Sequence, residues 1–161
     1  MNASARNLPL KRQTTSSGFT LIELMVTIAV LAIIVSIAAP NISTQLANQR
    51  VKSTAATLAN ALKEAKSESI IRRQSITLSY NDSSNPKVIK ILKADASTIA
   101  SYPYDSKSII KSSKTSIVFE PSKRVDAAAT YTICDINASI VPRQISVSKL
   151  ANIDIRKGVS C

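Results

Sequence analysis

The feature that most constrains this chain is an apolar run of 21 residues from Phe19 to Ala39. Its polar residues are Thr20, Glu23, Thr27 and Ser36. A helix rises about 1.5 Å per residue, so about 20 residues cross a hydrocarbon core of roughly 30 Å. The run is long enough to span a bilayer and predicts that the chain is attached to a membrane.

The charges before the apolar run predict its orientation. Residues 1–18 contain Arg6, Lys11 and Arg12 and no acidic residue. Positively charged flanks stay on the cytoplasmic side of a membrane. Residues from Pro40 onward are therefore expected on the opposite side.

Two ordinary interpretations of the run are open. A secretory signal peptide would be cut near the small residues Ser36-Ile37-Ala38, but its apolar region is usually about 7 to 15 residues and this run is longer. A plain membrane anchor would keep the run, but it would leave Glu23 without a reason. A carboxylate within a membrane helix costs about 2.5 kcal/mol or more unless it is paired or lies near the interface.

A third interpretation accounts for every part of the segment. The stretch Gly18-Phe19-Thr20-Leu21-Ile22-Glu23-Leu24-Met25-Val26 resembles the processing site of type IV prepilins and pseudopilins. The resemblance implies that a prepilin peptidase cuts between Gly18 and Phe19 and methylates the new amino group of Phe19. The basic leader, 1–18, would be removed, and residues 19–39 would remain as the transmembrane and filament-core helix.

Glu23 is the candidate assembly residue, together with the amino group of Phe19. The two charges lie four residues apart, at one end and on one face of the helix. The resemblance implies that the carboxylate meets the amine of a neighbouring subunit, which would fix the axial register because a misplaced subunit buries unpaired charges. The alternative is a carboxylate stabilised by the N-terminus of its own helix.

Residues 40–73 are predicted to continue the helix as its amphipathic half. Apolar and small residues recur at spacings of three and four: Val51, Ala55, Leu58, Leu62, Ala65 and Ser69. This spacing places them on one helix face, with charged residues on the other sides.

Residues 74–161 are predicted to form a β-rich globular part. Six strands are expected, at 75–80, 88–93, 116–119, 130–134, 144–148 and 153–156, and Tyr102-Pro103-Tyr104 is expected in a loop. Apolar and polar residues alternate at Ile145 to Ser148 and at Ile153 to Arg156, which is typical of a sheet with one buried face. The predicted fold class is α+β: a long N-terminal helix, half in the membrane and half amphipathic, packed on an antiparallel sheet as in type IV pilins.

Cys134 and Cys161 are expected to form a disulfide in an oxidising compartment. The bond would tether the end of the chain to a strand and close a loop of about 28 residues, contributing about 3 kcal/mol in the chain-entropy model. Two buried free thiols are the alternative. Two cysteines without His do not supply a four-ligand zinc site.

The C-terminal half resembles the GspH/FimT family of minor pilins and pseudopilins, on the basis of Cys134, the alternating strand 143–148 and Cys161. The resemblance implies a low-copy pilus subunit, sometimes called FimU-like, that helps to initiate or cap assembly. Two alternatives are open: a FimT-like minor pilin that binds double-stranded DNA for natural transformation, and a GspH-like pseudopilin of type II secretion. The implied partners are other major and minor pilins, prepilin peptidase and the bacterial inner membrane, with a periplasmic C-terminal domain that later joins the pilus at the tip or in low copy.

The DNA alternative begins with charge. Without the leader, the chain has 18 basic and 10 acidic residues, a net charge of +8, which attracts phosphates in a salt-dependent way. The candidate contacts are Arg143, Lys149, Arg156 and Lys157. The DNA-binding branch has a Gly-Arg-x-Arg pattern near its C-terminus, whereas the corresponding place here, Ala151-Asn152-Ile153-Asp154, has no arginine and one acid. This departure favours the structural minor pilin.

The composition argues against an enzyme and against a cofactor. The chain has no His, so it lacks the commonest general base and the commonest metal ligand. With only Gly18 and Gly158, it has no Gly-rich phosphate loop.

Overall fold

The computed structural model describes residues 18–137 and 139–161, without the side chains of residues 38–41. The predicted leader, apart from Gly18, lies outside the described residues. The described elements are one long helix, α1 (Leu21–Arg72), and eight strands: β1 (Ile76–Asn81), β2 (Lys87–Lys93), β3 (Thr98–Tyr104), β4 (Ser108–Ser112), β5 (Ser116–Phe119), β6 (Ala129–Asp135), β7 (Arg143–Val147) and β8 (Ile153–Lys157).

Local interactions set both ends of α1. Thr20 caps its N-terminus, because the Thr20 Oγ1 atom accepts a hydrogen bond from the backbone N–H of Glu23 at 3.2 Å. At the other end, Arg73 has a φ of 53°, in the left-handed region that terminates helices. The helix therefore ends one residue before the predicted boundary.

The predicted buried face of the amphipathic half is confirmed. All six of its residues are buried, and Leu58, Leu62, Ala65 and Ser69 are completely inaccessible. Several positions on this face are alanines, which lets the helix axis approach the strands closely. One hydrophobic cluster joins this half of α1 to strands of both sheets.

The strands form two antiparallel sheets of four strands each. The first has the order β3-β2-β1-β5 and the second the order β4-β6-β7-β8. The fold class is confirmed as a long helix packed on antiparallel strands, and the division into two sheets is a feature that the sequence did not predict.

All six predicted strands are present, with ends that differ by one residue at most. The prediction of a loop at Tyr102-Pro103-Tyr104 was wrong, because these residues end β3. β3 lies at the edge of its sheet, where Pro103 pairs with Val88 on one side only. An edge strand tolerates proline because the missing N–H faces away from the ladder.

The chain divides into two compact units, Met1–Ala39 and Pro40–Cys161. No single straight helix in the described part of the chain is long and apolar enough to cross a membrane. Two helical segments of α1 that are separated by a bend, Leu21–Ile37 and Ile42–Arg72, are long and apolar enough together, by length and composition alone.

An ion pair joins α1 to β6 in the second unit. The Arg50 guanidinium donates two hydrogen bonds to the Asp135 carboxylate, at 2.9 and 3.1 Å. The carboxylate also accepts the backbone N–H of Asn137 at 2.9 Å, and its side chain is fully shielded from solvent. Burial alone would raise the pKa of Asp135, but the Arg50 and Asn137 hydrogen bonds and the Arg50 and Lys107 charges outweigh it and hold that pKa below its ordinary value of 3.8.

We expect Asp135→Ala to lower the free energy of unfolding by about 2 kcal/mol, because the change removes charge-assisted hydrogen bonds. Urea unfolding of the full chain in detergent measures the loss. Asp105→Asn is the matched control: Asp105 is exposed and lies 3.8 Å from the Arg50 Nε atom, and Asn keeps an oxygen to accept the hydrogen bond from the Lys107 N–H, so the change should alter stability by less than about 0.5 kcal/mol. Equal losses of stability in the two variants would contradict a stabilising role of the Arg50–Asp135 ion pair.

The same pair predicts a pH dependence. Because the folded-state pKa of Asp135 is lowered, its contribution is complete above the unfolded-state pKa and is lost as the pH falls through the folded-state value. Wild-type protein should therefore lose more stability than Asp135→Ala between neutral pH and acid below that value. Parallel pH profiles would contradict this.

Tyr131 is a fully buried residue whose hydroxyl has no hydrogen-bond partner among the described residues. Its ring packs edge-on against Tyr80, with centroids 6.1 Å apart, and burial raises the pKa of its hydroxyl. We expect Tyr131→Phe to raise the free energy of unfolding by up to about 1 kcal/mol, since it removes an unpaired polar atom and keeps the ring. Tyr131→Leu is the control for the ring and should destabilise; a loss with Phe would show that the hydroxyl has a partner.

Candidate functional site

The first half of α1 exposes an apolar surface. From Phe19 to Ile37 every side chain is exposed, including Phe19 at 82% and Ile37 at 68%. An apolar surface of this extent on a single element needs a lipid or protein environment.

Glu23 differs from the other polar residues on this surface. The hydroxyl of Thr20 caps the helix, the Thr27 hydroxyl donates to the Leu24 carbonyl at 2.8 Å, and the Ser36 hydroxyl donates to the Ile33 carbonyl at 2.8 Å. These three groups are satisfied by the backbone of their own helix. The Glu23 carboxylate has no side-chain partner among the described residues.

Gly18 precedes α1, and the fold does not require a glycine there. A Cβ atom added at Gly18 would meet no described atom within 4 Å, and its φ lies outside the left-handed region. A requirement for glycine at this position must come from something other than local packing.

Cys134 and Cys161 are joined by a disulfide, with Cα atoms 6.0 Å apart. Cys134 is buried at the end of β6, and Cys161 follows the edge strand β8. Two hydrogen bonds support the connecting segment: the Gly158 N–H donates to the Pro142 carbonyl, and the Lys111 ammonium donates to the Cys161 carbonyl. The bond ties the segment after β8 to β6, two strands away in the sheet.

The structure brings Arg143 and Lys157 together. They are cross-strand partners in β7 and β8, so they lie on one face of the sheet, and both line a groove of about 680 Å³ beside the helix. They share that face with the buried Ile145.

Arg156 and Lys149 are not part of this arrangement. Arg156 lies on the opposite face of the sheet, where its guanidinium donates to the Gln144 side-chain oxygen at 2.9 Å. Lys149 lies in the turn between β7 and β8. The four predicted DNA contacts therefore do not form one surface.

The turn between β7 and β8 contains the site where the DNA-binding pattern was expected. Ala151 there has a φ of 54°, a conformation that favours glycine, although the residue is alanine. Its carbonyl accepts a hydrogen bond from the Lys66 ammonium at 2.8 Å. The backbone thus fits the glycine of the pattern, while Asn152 and Asp154 stand where arginines would be.

Two further cations, Lys52 and Lys63, were not predicted as site residues from the sequence. Lys52 lines the same groove as Arg143, and Lys63 lines a further depression beside Ile153. The sequence showed that both lysines lie next to the buried face of α1, but it did not show that β8 lies beside them. The described residues contain no group of three or more His, Cys, Asp or Glu suited to a metal ion.

These features together are those of a pilin-like protein: an exposed apolar helix with one carboxylate, continuous with an α+β domain. Comparison with known proteins agrees. The prokaryotic N-terminal methylation motif matches residues 14–39, and the family described as type II transport protein GspH matches residues 54–151. The chain belongs to this GspH family of type IV minor pilins and pseudopilins, whose members are structural proteins.

Solved structures share the fold. The type IV minor pilin FimU of Pseudomonas aeruginosa matches in two crystal forms, with TM-scores of 0.59 and 0.60 and identities of 20% and 19%; the alignments cover 68% and 70% of this chain and 98% and 96% of FimU. The minor pseudopilin EpsH from the type 2 secretion system of Vibrio cholerae matches with a TM-score of 0.56 and 10% identity, over 67% of this chain and 97% of EpsH. No curated protein sequence gives a significant match.

Proposed function

We propose that this protein is a minor pilin of a type IV pilus that helps to initiate or cap assembly. In this proposal, prepilin peptidase cuts between Gly18 and Phe19 and methylates the Phe19 amine. The processed chain resides in the inner membrane as a single-pass protein with a periplasmic domain. It then joins other major and minor pilins through residues 19–39.

The observation that carries the proposal is the Glu23 carboxylate, which has no partner among the described residues and is the single charged side chain on the exposed apolar surface from Phe19 to Ile37. A buried charge without a partner is strongly unfavourable, so assembly of this helix with others requires a compensating cation. The methylated amine of a neighbouring Phe19 would supply it. The absence of any packing reason for Gly18 supports a role for that residue in recognition by the peptidase.

A pseudopilin of type II secretion is the second candidate, favoured by the GspH family match and the similarity to EpsH. A deletion strain complemented with this chain separates the two. The proposal expects the deletion to remove most surface pili while leaving type II secretion intact. Loss of secretion with normal piliation would assign the protein to the secretion machine instead.

DNA uptake is the third candidate and has weaker support. The net positive charge favours it, but residues 151–154, which correspond to the Gly-Arg-x-Arg pattern, contain no arginine. In addition, Arg156 and Lys157 lie on different faces of the sheet. In the complemented deletion strain, transformation should follow piliation. A transformation defect in a strain with normal pili would favour the DNA-binding role.

A further inference from the structure

A furrow runs between α1 and the edge strand β8. The groove that contains Arg143 and Lys157 also contains Lys52, and a second depression shares Lys52 and Arg143 and reaches Ile155. A third depression continues along the same helix at Lys63 and Lys66 and faces Ile153 at the start of β8. The helix positions at 45, 49, 52, 56, 63 and 67 recur at helical spacing, so one side of α1 forms one wall of the furrow.

The furrow is positively charged without compensation. Its cations Lys52, Lys63, Arg143 and Lys157 form no ion pair among the described residues, and Lys66 binds a backbone carbonyl. No Asp or Glu lines any of the three depressions. Elsewhere in the domain, Lys87 pairs with Asp82, and Lys114 pairs with Asp126.

The furrow also has apolar surface and a free strand edge. Ile42, Leu46 and Val141 line its first groove and are each more than half exposed, and Ile155 is 45% exposed. In the described residues, β8 pairs with β7 on one side and with no strand on the other. Cations beside such an edge deter pairing between copies of the same chain, and they attract a strand that carries acids.

We propose that this furrow binds an extended acidic segment of a protein partner, which pairs with the free edge of β8. Glutamate or aspartate side chains of the segment meet Lys52, Lys63, Arg143 and Lys157, and its apolar side chains cover Ile42, Leu46 and Ile155. Main-chain hydrogen bonds to β8 supply affinity, and the cations select the partner. A protein strand is favoured over DNA because its apolar side chains can cover Ile42, Leu46 and Ile155, whereas phosphates gain nothing from apolar contacts.

The test uses the full chain in neutral detergent and a fluorescent peptide of repeated Glu-Thr-Val-Thr, which places Glu and Val on one face of a strand, with the Gln-Thr-Val-Thr peptide as control. Fluorescence anisotropy should show binding of the Glu peptide that weakens with salt, and little binding of the Gln peptide. Lys52→Glu with Lys63→Glu should weaken binding at least about tenfold. Both residues are exposed, so this variant keeps the core. Lys90→Glu with Lys123→Glu changes the net charge equally at exposed sites away from the furrow and should weaken binding less than about twofold.

Hydrogen exchange tests the strand pairing: amides of 153–157 should exchange more slowly with the peptide bound. The proposal is overturned by no binding, by equal losses in the two charge variants, or by binding without protection of β8. It is also overturned if duplex DNA binds in the furrow and the Glu peptide does not, or if the furrow is closed by a second copy, seen as a dimer that the Lys52→Glu and Lys63→Glu pair dissociates. These outcomes do not bear on the role of Glu23, so failure here leaves the proposed function standing.

Discussion

Glu23→Gln is expected to leave processing between Gly18 and Phe19 intact and to reduce incorporation into pili by at least about tenfold. The variant keeps the size and the Thr20 cap, since the capping bond uses the Glu23 backbone N–H and not its side chain. It removes the charge that would pair with a neighbouring amine in a low-dielectric filament core, where a lost pair leaves that amine uncompensated. The ratio of protein in sheared pili to protein in membranes measures incorporation.

Thr27→Val is the matched control for this prediction. The Thr27 hydroxyl bonds its own helix, so its loss should leave incorporation nearly unchanged. Glu23→Asp tests position, because a shorter carboxylate retains the charge at a different reach. Normal incorporation of Glu23→Gln would show that the carboxylate serves only its own helix.

Loss of the Cys134–Cys161 disulfide is expected to lower the free energy of unfolding by about 3 kcal/mol. The bond links residues 27 apart in sequence, and opening it returns conformational entropy to the unfolded chain. Cys161→Ser is the appropriate change because Cys161 is exposed and its replacement leaves no cavity. Urea unfolding of the full chain in detergent without reductant measures the difference.

Two controls accompany the disulfide prediction. Wild-type protein treated with reductant should match Cys161→Ser, and Ser160→Ala in the same segment should match the oxidised wild type. Unchanged stability in Cys161→Ser would contradict the predicted contribution. Incorporation of two alkyl groups into non-reduced protein would contradict the disulfide itself.

The sequence predicted those elements whose structure depends on nearby residues. The buried face of α1 followed from the spacing of Val51, Ala55 and Leu58, and the strand at 144–148 followed from alternation. The edge strand β3 was missed because its buried and exposed positions do not alternate strictly and it contains Pro103. β4 was missed because it is short and begins with a serine, Ser108. The buried Ser108 hydroxyl accepts a hydrogen bond at 3.0 Å from the Thr54 hydroxyl, which lies 54 residues earlier in the sequence.

The candidate sites show the same limit. Glu23 stood out because a single acid in an apolar run is visible from neighbouring residues alone. The Arg50–Asp135 pair was not predicted, since its members are 85 residues apart and only the packing of α1 on β6 brings them together. The furrow likewise depends on which strand lies beside the helix, and the strand register places Arg156 and Lys157 on opposite faces.

The intact mass of the protein in sheared pili, compared with that in membranes of a strain lacking prepilin peptidase, tests processing and incorporation together. We expect a chain that begins at methylated Phe19 in the pili, and the unprocessed chain in the peptidase-deficient membranes. The proposed function would be wrong if the protein were absent from the sheared fraction, if the mature chain began near Ala39, or if the mass did not depend on the peptidase.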